Sequence, residues 1–179
     1  MNNVKQKYTA LIRKAQREGS SSVPQLRLCF QILSVAADID SDCASRLSQY
    51  NLSEGRFVLL FLLHDHRKGL SPYELADLAG VTRATISGLL DGLEKSGLVL
   101  RHKSKQDKRG ITVRLTAEGT CLISELFIKH TQWIKTLFDG FSEKECGLLH
   151  QLLYRVWLHT DAGKKAGGIT DTRCLPQPY

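Results

Sequence analysis

The 179-residue chain is 42% apolar, enough to bury a core, and it carries a formal net charge of +7. No apolar run approaches the roughly 18 residues of a membrane span, and no apolar segment follows the early lysines as in a secretory signal. We therefore expect a cytoplasmic protein. The five cysteines are widely spaced, with no Cys-x-x-Cys motif, which argues against a disulfide scaffold or a thiolate zinc site.

The first half of the chain predicts helices. A short amphipathic, basic helix is expected over residues 3–18, followed by a Gly-Ser-Ser-Ser linker. Pro24 then suits the start of a helix of about 25 residues, because apolar side chains recur at three- and four-residue steps up to Gln49. A helix of this length in a small domain needs a partner to cover its apolar stripe. The later helices each begin at a capping residue, namely Ser53, Ser71, Thr82, Thr116 and Ser142.

Two of these helices are short and lie close together in the sequence. Ser71 and Glu74 form a capping box around Pro72, and the helix that they begin is broken by Gly80. Thr82 begins the next helix, which runs to Ser96 and is followed by Gly97. Two short helices joined by a tight glycine turn are typical of a helix-turn-helix.

A β-hairpin is expected directly after this motif. Residues 98–102 and 111–115 are β-prone runs, and the loop between them is polar and basic. From Arg101 to Arg114 the segment carries six basic residues and one acid, a net charge of +5. The hairpin therefore predicts a wing with a positively charged tip.

In the second helix of the motif, the pattern of small residues indicates a surface that lies close to another molecule. Ile86, Leu90 and Leu93 share a stripe with Leu89 that would anchor the helix, and the opposite side carries small residues, two of them glycines. Each glycine costs a helix about 1 kcal/mol relative to alanine, so a close neighbour would explain them, and a major groove about 12 Å wide just admits a helix. Residues near the start of this helix are expected to reach phosphates or base edges; they are Thr82, Arg83, Thr85 and Ser87.

The wing tip supplies a second set of expected DNA contacts. An arginine at a hairpin tip can enter a minor groove, because the negative potential there attracts its charge. We expect Arg109 to take this role and Asp107 to hold it in place. The tip residues of the predicted interface are Lys105, Asp107, Lys108 and Arg109.

Several segments together resemble the MarR family of bacterial regulators. The matching stretches are 71–87, 93–99 and 115–119, and the family's Asp-x-Arg wing motif is matched by Asp107 and Arg109. The resemblance extends over roughly residues 24–160. It implies an obligate homodimer whose first and last helices interlock, and which binds a pseudo-palindromic operator in double-stranded DNA. It also implies repression in most cases, often relieved by a small aromatic or phenolic ligand.

These observations predict a mainly α fold of α/β winged-helix type, a winged helix-turn-helix with a two-stranded wing and dimerisation helices at both ends. Residues 1–22 form a basic extension and linker, and residues 23–160 form the winged-helix domain. Within it we expect a DNA-binding lobe at about 53–116 and dimerisation helices at about 24–49 and 117–160. The glycines, lysines and prolines of residues 161–179 predict a disordered tail.

A rival hypothesis keeps the fold and changes what is sensed. The segment around Cys29 resembles the reactive-cysteine segment of the organic-hydroperoxide sensors within this family. Those sensors place tyrosines near the thiolate, whereas the corresponding positions here are Cys43 and Glu54. A glutamate would raise a thiol pKa. We therefore expect Cys29 to be a structural cysteine, and peroxide sensing through Cys29 is the alternative hypothesis.

Two other classes find little support in the sequence. His64, Asp65 and His66 lie next to one another at a helix end, where their side chains diverge, so we expect no metal site. The sequence contains no glycine-rich phosphate loop and no nucleophile-elbow motif. We therefore expect no catalytic residues and no cofactor besides an effector ligand, and the sequence predicts a binding protein rather than an enzyme.

Overall fold

The computed structural model describes residues 3–103 and 110–167. Its two compact units are Met1–Ser124 and Glu125–Tyr179. In chain order the elements are α1 (Asn3–Arg17), α2 (Val23–Ser48), α3 (Glu54–Asp65), α4 (Pro72–Ala79), α5 (Arg83–Lys95), β1 (Val99–Lys103), β2 (Ile111–Leu115), α6 (Ala117–Thr136), α7 (Glu143–Leu158) and α8 (Asp161–Gly167). This mainly helical chain with a two-stranded antiparallel hairpin has the predicted winged-helix architecture.

The predicted capping residues begin these helices. Ser53, Ser71, Thr82 and Ser142 each accept a hydrogen bond from the backbone N–H three residues later. Such a bond satisfies one of the N–H groups that the first turn of a helix leaves without a partner. The capping boxes at Ser71 and Ser142 are both complete. Local sequence therefore determines where these helices start.

Leucine, isoleucine and valine side chains form the core of the first unit. Helix α3 contacts α4, α5 and β2, and α5 contacts both α4 and β1. At most 1% of each of the central side chains is exposed; these are Leu59, Leu60, Leu75, Ile86, Leu90, Leu93, Val99 and Val113. Ile86, Leu90 and Leu93 of the predicted α5 stripe are thus buried, and the opposite side of α5 therefore faces the surface.

The hairpin is antiparallel, with Val99 opposite Leu115 and Lys103 opposite Ile111. A third segment, which the sequence analysis did not predict, pairs with its second strand. Leu70 exchanges two backbone hydrogen bonds with Val113, with N–O distances of 2.8 and 3.1 Å. This bridge ties the residue just before α4 to the base of the wing.

The start of α6 is held against the base of the hairpin. The Thr116 hydroxyl donates to the Gly97 carbonyl at 2.8 Å and accepts from the Gly119 N–H at 2.9 Å. A Cβ at Gly119 would collide with the Leu98 carbonyl oxygen. Only glycine fits there without a backbone shift, and this accounts for the glycine at position 119.

The structure differs from expectation at the start of the predicted tail. Residues 161–167 form α8, and the Thr160 hydroxyl accepts from the Gly163 N–H at 3.1 Å. Asp161 lies in the first turn of α8 and two lysines lie in its last turn, an arrangement that complements the helix dipole. Residues 168–179 lie outside the described part of the chain.

Candidate nucleic-acid interface

The helix-turn-helix is built by α4, a turn and α5. The Ser71 hydroxyl accepts from the Glu74 N–H at 3.2 Å, and the Glu74 carboxylate accepts from the Ser71 N–H at 2.7 Å. The Ser71 hydroxyl also donates to the Glu74 carboxylate at 2.7 Å. The two hydrogen bonds that this carboxylate accepts from Ser71 hold the pKa of Glu74 below its usual value. Gly80 ends α4 with a φ of 65°, in the left-handed region that favours glycine. The chain then reaches Thr82 and enters α5.

The predicted contact residues of α5 lie together at its first two turns. Thr82 accepts from the Thr85 N–H at 3.2 Å, and the hydroxyls of these two threonines are 2.9 Å apart. All four predicted side chains are exposed: Thr82, Arg83, Thr85 and Ser87. Because the start of a helix also carries the positive end of its dipole, this surface suits a phosphate backbone or the acceptor atoms of bases.

Arg83 has an aromatic neighbour that the sequence analysis did not identify. Its guanidinium carbon lies 4.8 Å from the ring centroid of Tyr73, within the range of a cation–π contact. Tyr73 is in the first turn of α4 and 60% exposed. The two side chains therefore form one exposed unit at the helix-turn-helix.

The two glycines of α5 have different surroundings. Apart from the adjoining residues and backbone of α5 itself, no atom of the described residues lies within 4 Å of a Cβ added at Gly88, so this position leaves open space for another molecule. A Cβ at Gly92 would instead meet the guanidinium group of Arg56 from α3. Open space is therefore found beside Gly88, whereas the flexible Arg56 side chain of the same domain lies beside Gly92.

Arg101 joins the wing to α5. It lies on β1, and its guanidinium nitrogens are 2.7 Å from the Asp91 carboxylate and 3.3 Å from that of Glu94. Arg114 on β2 donates through Nε to the Lys68 carbonyl at 2.8 Å. Two of the six basic residues in the segment from Arg101 to Arg114 thus have partners within the protein.

The predicted wing-tip residues cannot be placed in the same way. Lys105, Asp107, Lys108 and Arg109 lie outside the described residues. The described strands end at Lys103 and resume at Ile111, which are register partners.

The structure shows the surroundings of the cysteine in the redox hypothesis. Cys29 is exposed on α2, and helix geometry puts it roughly 21 Å along the axis from Cys43. Burial, Glu54 and Asp40 raise the pKa of the Cys43 thiol, which disfavours the reactive thiolate.

The His64 Nε2 is 3.3 Å from the Ser124 hydroxyl. Within residues 3–103 and 110–167, no three His, Cys, Asp or Glu side chains converge as metal ligands would.

Known proteins match both the sequence and the fold. The MarR family model matches residues 52–111. The chain is 33% identical over 150 residues to the HTH-type transcriptional repressor YetL of Bacillus subtilis (strain 168), covering 82% of this chain and 89% of YetL. It is also 31% identical over 125 residues to the HTH-type transcriptional regulator PecS of Dickeya dadantii (strain 3937), covering 68% of this chain and 74% of PecS.

A solved structure shares the architecture. The S. aureus MepR–DNA complex matches with a TM-score of 0.64 at 22% identity, covering 72% of this chain and 94% of MepR. The described helices of the present chain are all too short or too polar to cross a membrane. With the sequence match to YetL, the chain belongs to the MarR family and is a DNA-binding transcriptional regulator rather than an enzyme.

Proposed function

We propose that the chain is a homodimeric repressor that binds a pseudo-palindromic operator in double-stranded DNA and is released by a small aromatic or phenolic ligand. The observation that carries this proposal is the two-sided character of α5. Its stripe of Ile86, Leu90 and Leu93 is at most 1% exposed, whereas the polar residues of its first turns face outward. Such a helix is fixed in position and free to enter a groove.

On this proposal α5 reads the major groove through Arg83, Thr85 and Ser87. An arginine there can bond a guanine bidentately, and the hydroxyls can reach bases or phosphates. Gly88 adds room for close approach, because its surroundings among the described residues are open.

The wing takes the adjacent minor groove on the same proposal. The paired strands β1 and β2 lead to the segment that carries Lys105, Asp107, Lys108 and Arg109. Arg109 is the residue proposed to enter the groove, where an arginine is attracted by the negative potential, and Asp107 positions it.

Exposed apolar side chains support the proposed dimer. On α2, Leu28, Leu33 and Val35 are 47–56% exposed, and on α7 four side chains are 43–56% exposed: Leu148, Leu152, Leu153 and Val156. Removing the exposed half of seven such side chains from water contributes roughly 5–10 kcal/mol per protomer. For two protomers this sums to about 10–20 kcal/mol, which is of the same order as the 4–15 kcal/mol or so of rigid-body entropy that association costs.

Two considerations support the regulatory part. YetL, to which the chain is 33% identical, is named as a repressor. The family resemblance further associates release from DNA with small aromatic or phenolic ligands, and such a regulator would act in the cytoplasm, where the operator is. A panel of such compounds, added to the preformed protein–operator complex, identifies the effector by the loss of bound DNA.

The test of the DNA-binding proposal is selection of operators from a random duplex library. The wild-type chain should enrich a pseudo-palindrome with half-sites centred about 10 base pairs apart. Arg83→Ala should lose about 1–3 kcal/mol and relax one position of each half-site. Lys95→Ala is the matched control, since it removes the same charge from the other end of α5 and should keep the base preference. Enrichment of an asymmetric site, or equal effects of the two variants, would contradict the proposal.

A further inference from the structure

We infer that Tyr73 positions Arg83 for DNA recognition and thereby helps to determine operator specificity. This inference rests on the proposed role of Arg83 in reading DNA. Its basis is the contact between the two side chains, in which the guanidinium carbon lies 4.8 Å from the ring centroid.

The exposure of Tyr73 requires an explanation. With 60% of its surface exposed, the ring contributes little to the core of the first unit. It lies in the first turn of α4, while Arg83 is the first residue of α5. In a helix, side chains point toward the N-terminus, so Arg83 projects beyond the start of α5 and meets the ring there.

The physical consequence is pre-organisation of a flexible side chain. A free arginine samples many rotamers, and fixing it in a complex costs conformational entropy. A guanidinium that already lies on an aromatic face has lost part of that freedom before DNA arrives. At exposed sites a cation–π contact accounts for about a two- to fivefold change in an equilibrium constant.

The sign of the effect identifies the role of the ring. If the bound arginine keeps the contact, loss of the ring weakens binding. If Arg83 must leave the ring in order to reach a base, loss of the ring strengthens binding. We infer the first case, because a cation–π contact occupies none of the five guanidinium N–H groups as a hydrogen-bond donor, so they remain available to a base or phosphate.

The test is a double-mutant cycle on the full chain, measured by fluorescence anisotropy on the duplex that the wild type selects. Tyr73→Phe keeps the aromatic face and should bind within about twofold of the wild type, while Tyr73→Ala should bind about two- to fivefold more weakly. In an Arg83→Ala background, Tyr73→Ala should have no further effect. Leu78→Ala is the matched control, because Leu78 is 50% exposed on the same helix and has no aromatic face to offer.

The base preference gives a second readout that a structural role would not change. Tyr73→Ala should reduce discrimination at the same operator positions as Arg83→Ala, and its melting temperature should match that of Leu78→Ala. Four results would overturn the inference: wild-type or tighter binding by Tyr73→Ala, an equal loss with Tyr73→Phe, a loss that persists without Arg83, or discrimination unchanged at those positions.

Different binding results distinguish the role of Arg83 from that of Tyr73. If Arg83→Ala itself binds like the wild type, the proposed role of Arg83 is wrong, and the inference about Tyr73 is overturned with it. If Arg83→Ala weakens binding and Tyr73→Ala adds an independent loss, only the positioning role is overturned.

Discussion

Arg101 on the first strand of the wing donates a hydrogen bond to the Asp91 carboxylate on α5, at 2.7 Å. A second nitrogen of the same guanidinium lies 3.3 Å from Glu94, one turn further along α5. The arginine side chain is 27% exposed. This contact links the two elements that are proposed to bind adjacent grooves, and it neutralises two carboxylates on α5.

We predict that Arg101→Ala weakens operator binding more than it weakens folding. The loss of a partly exposed ion pair costs about 1 kcal/mol or less in unfolding free energy. It also leaves the carboxylates of Asp91 and Glu94 on α5, the helix that is proposed to bind DNA, without the arginine. Anisotropy titration and urea unfolding measure the two effects separately. The triple variant with Asp91→Asn and Glu94→Gln should recover affinity if charge is the cause. Wild-type affinity of Arg101→Ala would show that the contact has no role in binding.

This contact illustrates what the sequence could and could not predict. Capping residues act on backbone groups three positions away, so Ser71 and Glu74 predicted the start of α4 directly. The partner of Arg101 depends instead on how the hairpin packs against α5, and no local pattern encodes that. The net charge of the segment from Arg101 to Arg114 therefore overstated the positive charge that is available to bind DNA.

The same limit applies to other parts of the site. Gly92 was interpreted as a mark of close approach to DNA, but its neighbour in the structure is the guanidinium group of Arg56 from another helix. The bridge between Leu70 and Val113 joins residues far apart in the chain. The contact between Tyr73 and Arg83 likewise depends on the turn geometry at Gly80. Side-chain partners across elements required the three-dimensional structure.

The capping box of α4 leads to a prediction about pH. Hydrogen bonds from the Ser71 backbone N–H and hydroxyl lower the pKa of Glu74 from its usual value of 4.5. A carboxylate with a lowered pKa in the folded state stabilises the protein above that usual value, and its contribution is lost as pH falls below it.

We therefore expect Glu74→Gln to be less stable than the wild type at neutral pH, and the difference should vanish in acid, below the lowered pKa. Ser71→Ala should cost about 1 kcal/mol by removing the cap itself. Urea unfolding of each variant at several pH values between neutral and acid provides the measurement. A difference between the wild type and Glu74→Gln that grows as pH falls would have the wrong sign.

The proposed dimer predicts the behaviour of two leucines. Leu33 on α2 and Leu153 on α7 are 47% and 43% exposed. A glutamate at either position would bury an unpaired charge in the interface, which costs several kcal/mol. Leu33→Glu and Leu153→Glu should therefore sediment as monomers and fail to bind the operator.

Matched controls for these variants carry the same new charge on the same helices. Ser45→Glu and Gln151→Glu change exposed polar residues that lie on a different side of their helices from Leu33 and Leu153, and both variants should remain dimeric. A monomeric wild type that still binds a palindromic operator would refute the dimer proposal.

Cys29 separates the redox hypothesis from a structural role. It is exposed on α2, and the Cys43 thiol further along that helix has a raised pKa. We expect Cys29→Ser to bind the operator like the wild type, and peroxide to release both proteins equally or neither. Operator release by peroxide from the wild type alone would establish Cys29 as a sensor.

The central claim is that α5 and the wing read different parts of the operator. We predict that Arg83→Ala changes the preferred core bases, because α5 would contact base edges in the major groove. Arg109→Ala should instead weaken binding to all operators with a narrow flanking minor groove, leave the core preference in place and reduce the dependence of affinity on salt. Asp107→Ala should partly reproduce the Arg109→Ala result.

The most direct measurement is a titration of Arg83→Ala and Arg109→Ala against operator libraries randomised separately in the core and in the flanks. The account predicts that the core profile changes only with Arg83→Ala and that the flank dependence changes only with Arg109→Ala. A core profile that changes with Arg109→Ala and is unaffected by Arg83→Ala would show that the grooves are assigned wrongly. Unchanged affinity in both variants would show that this surface does not bind DNA.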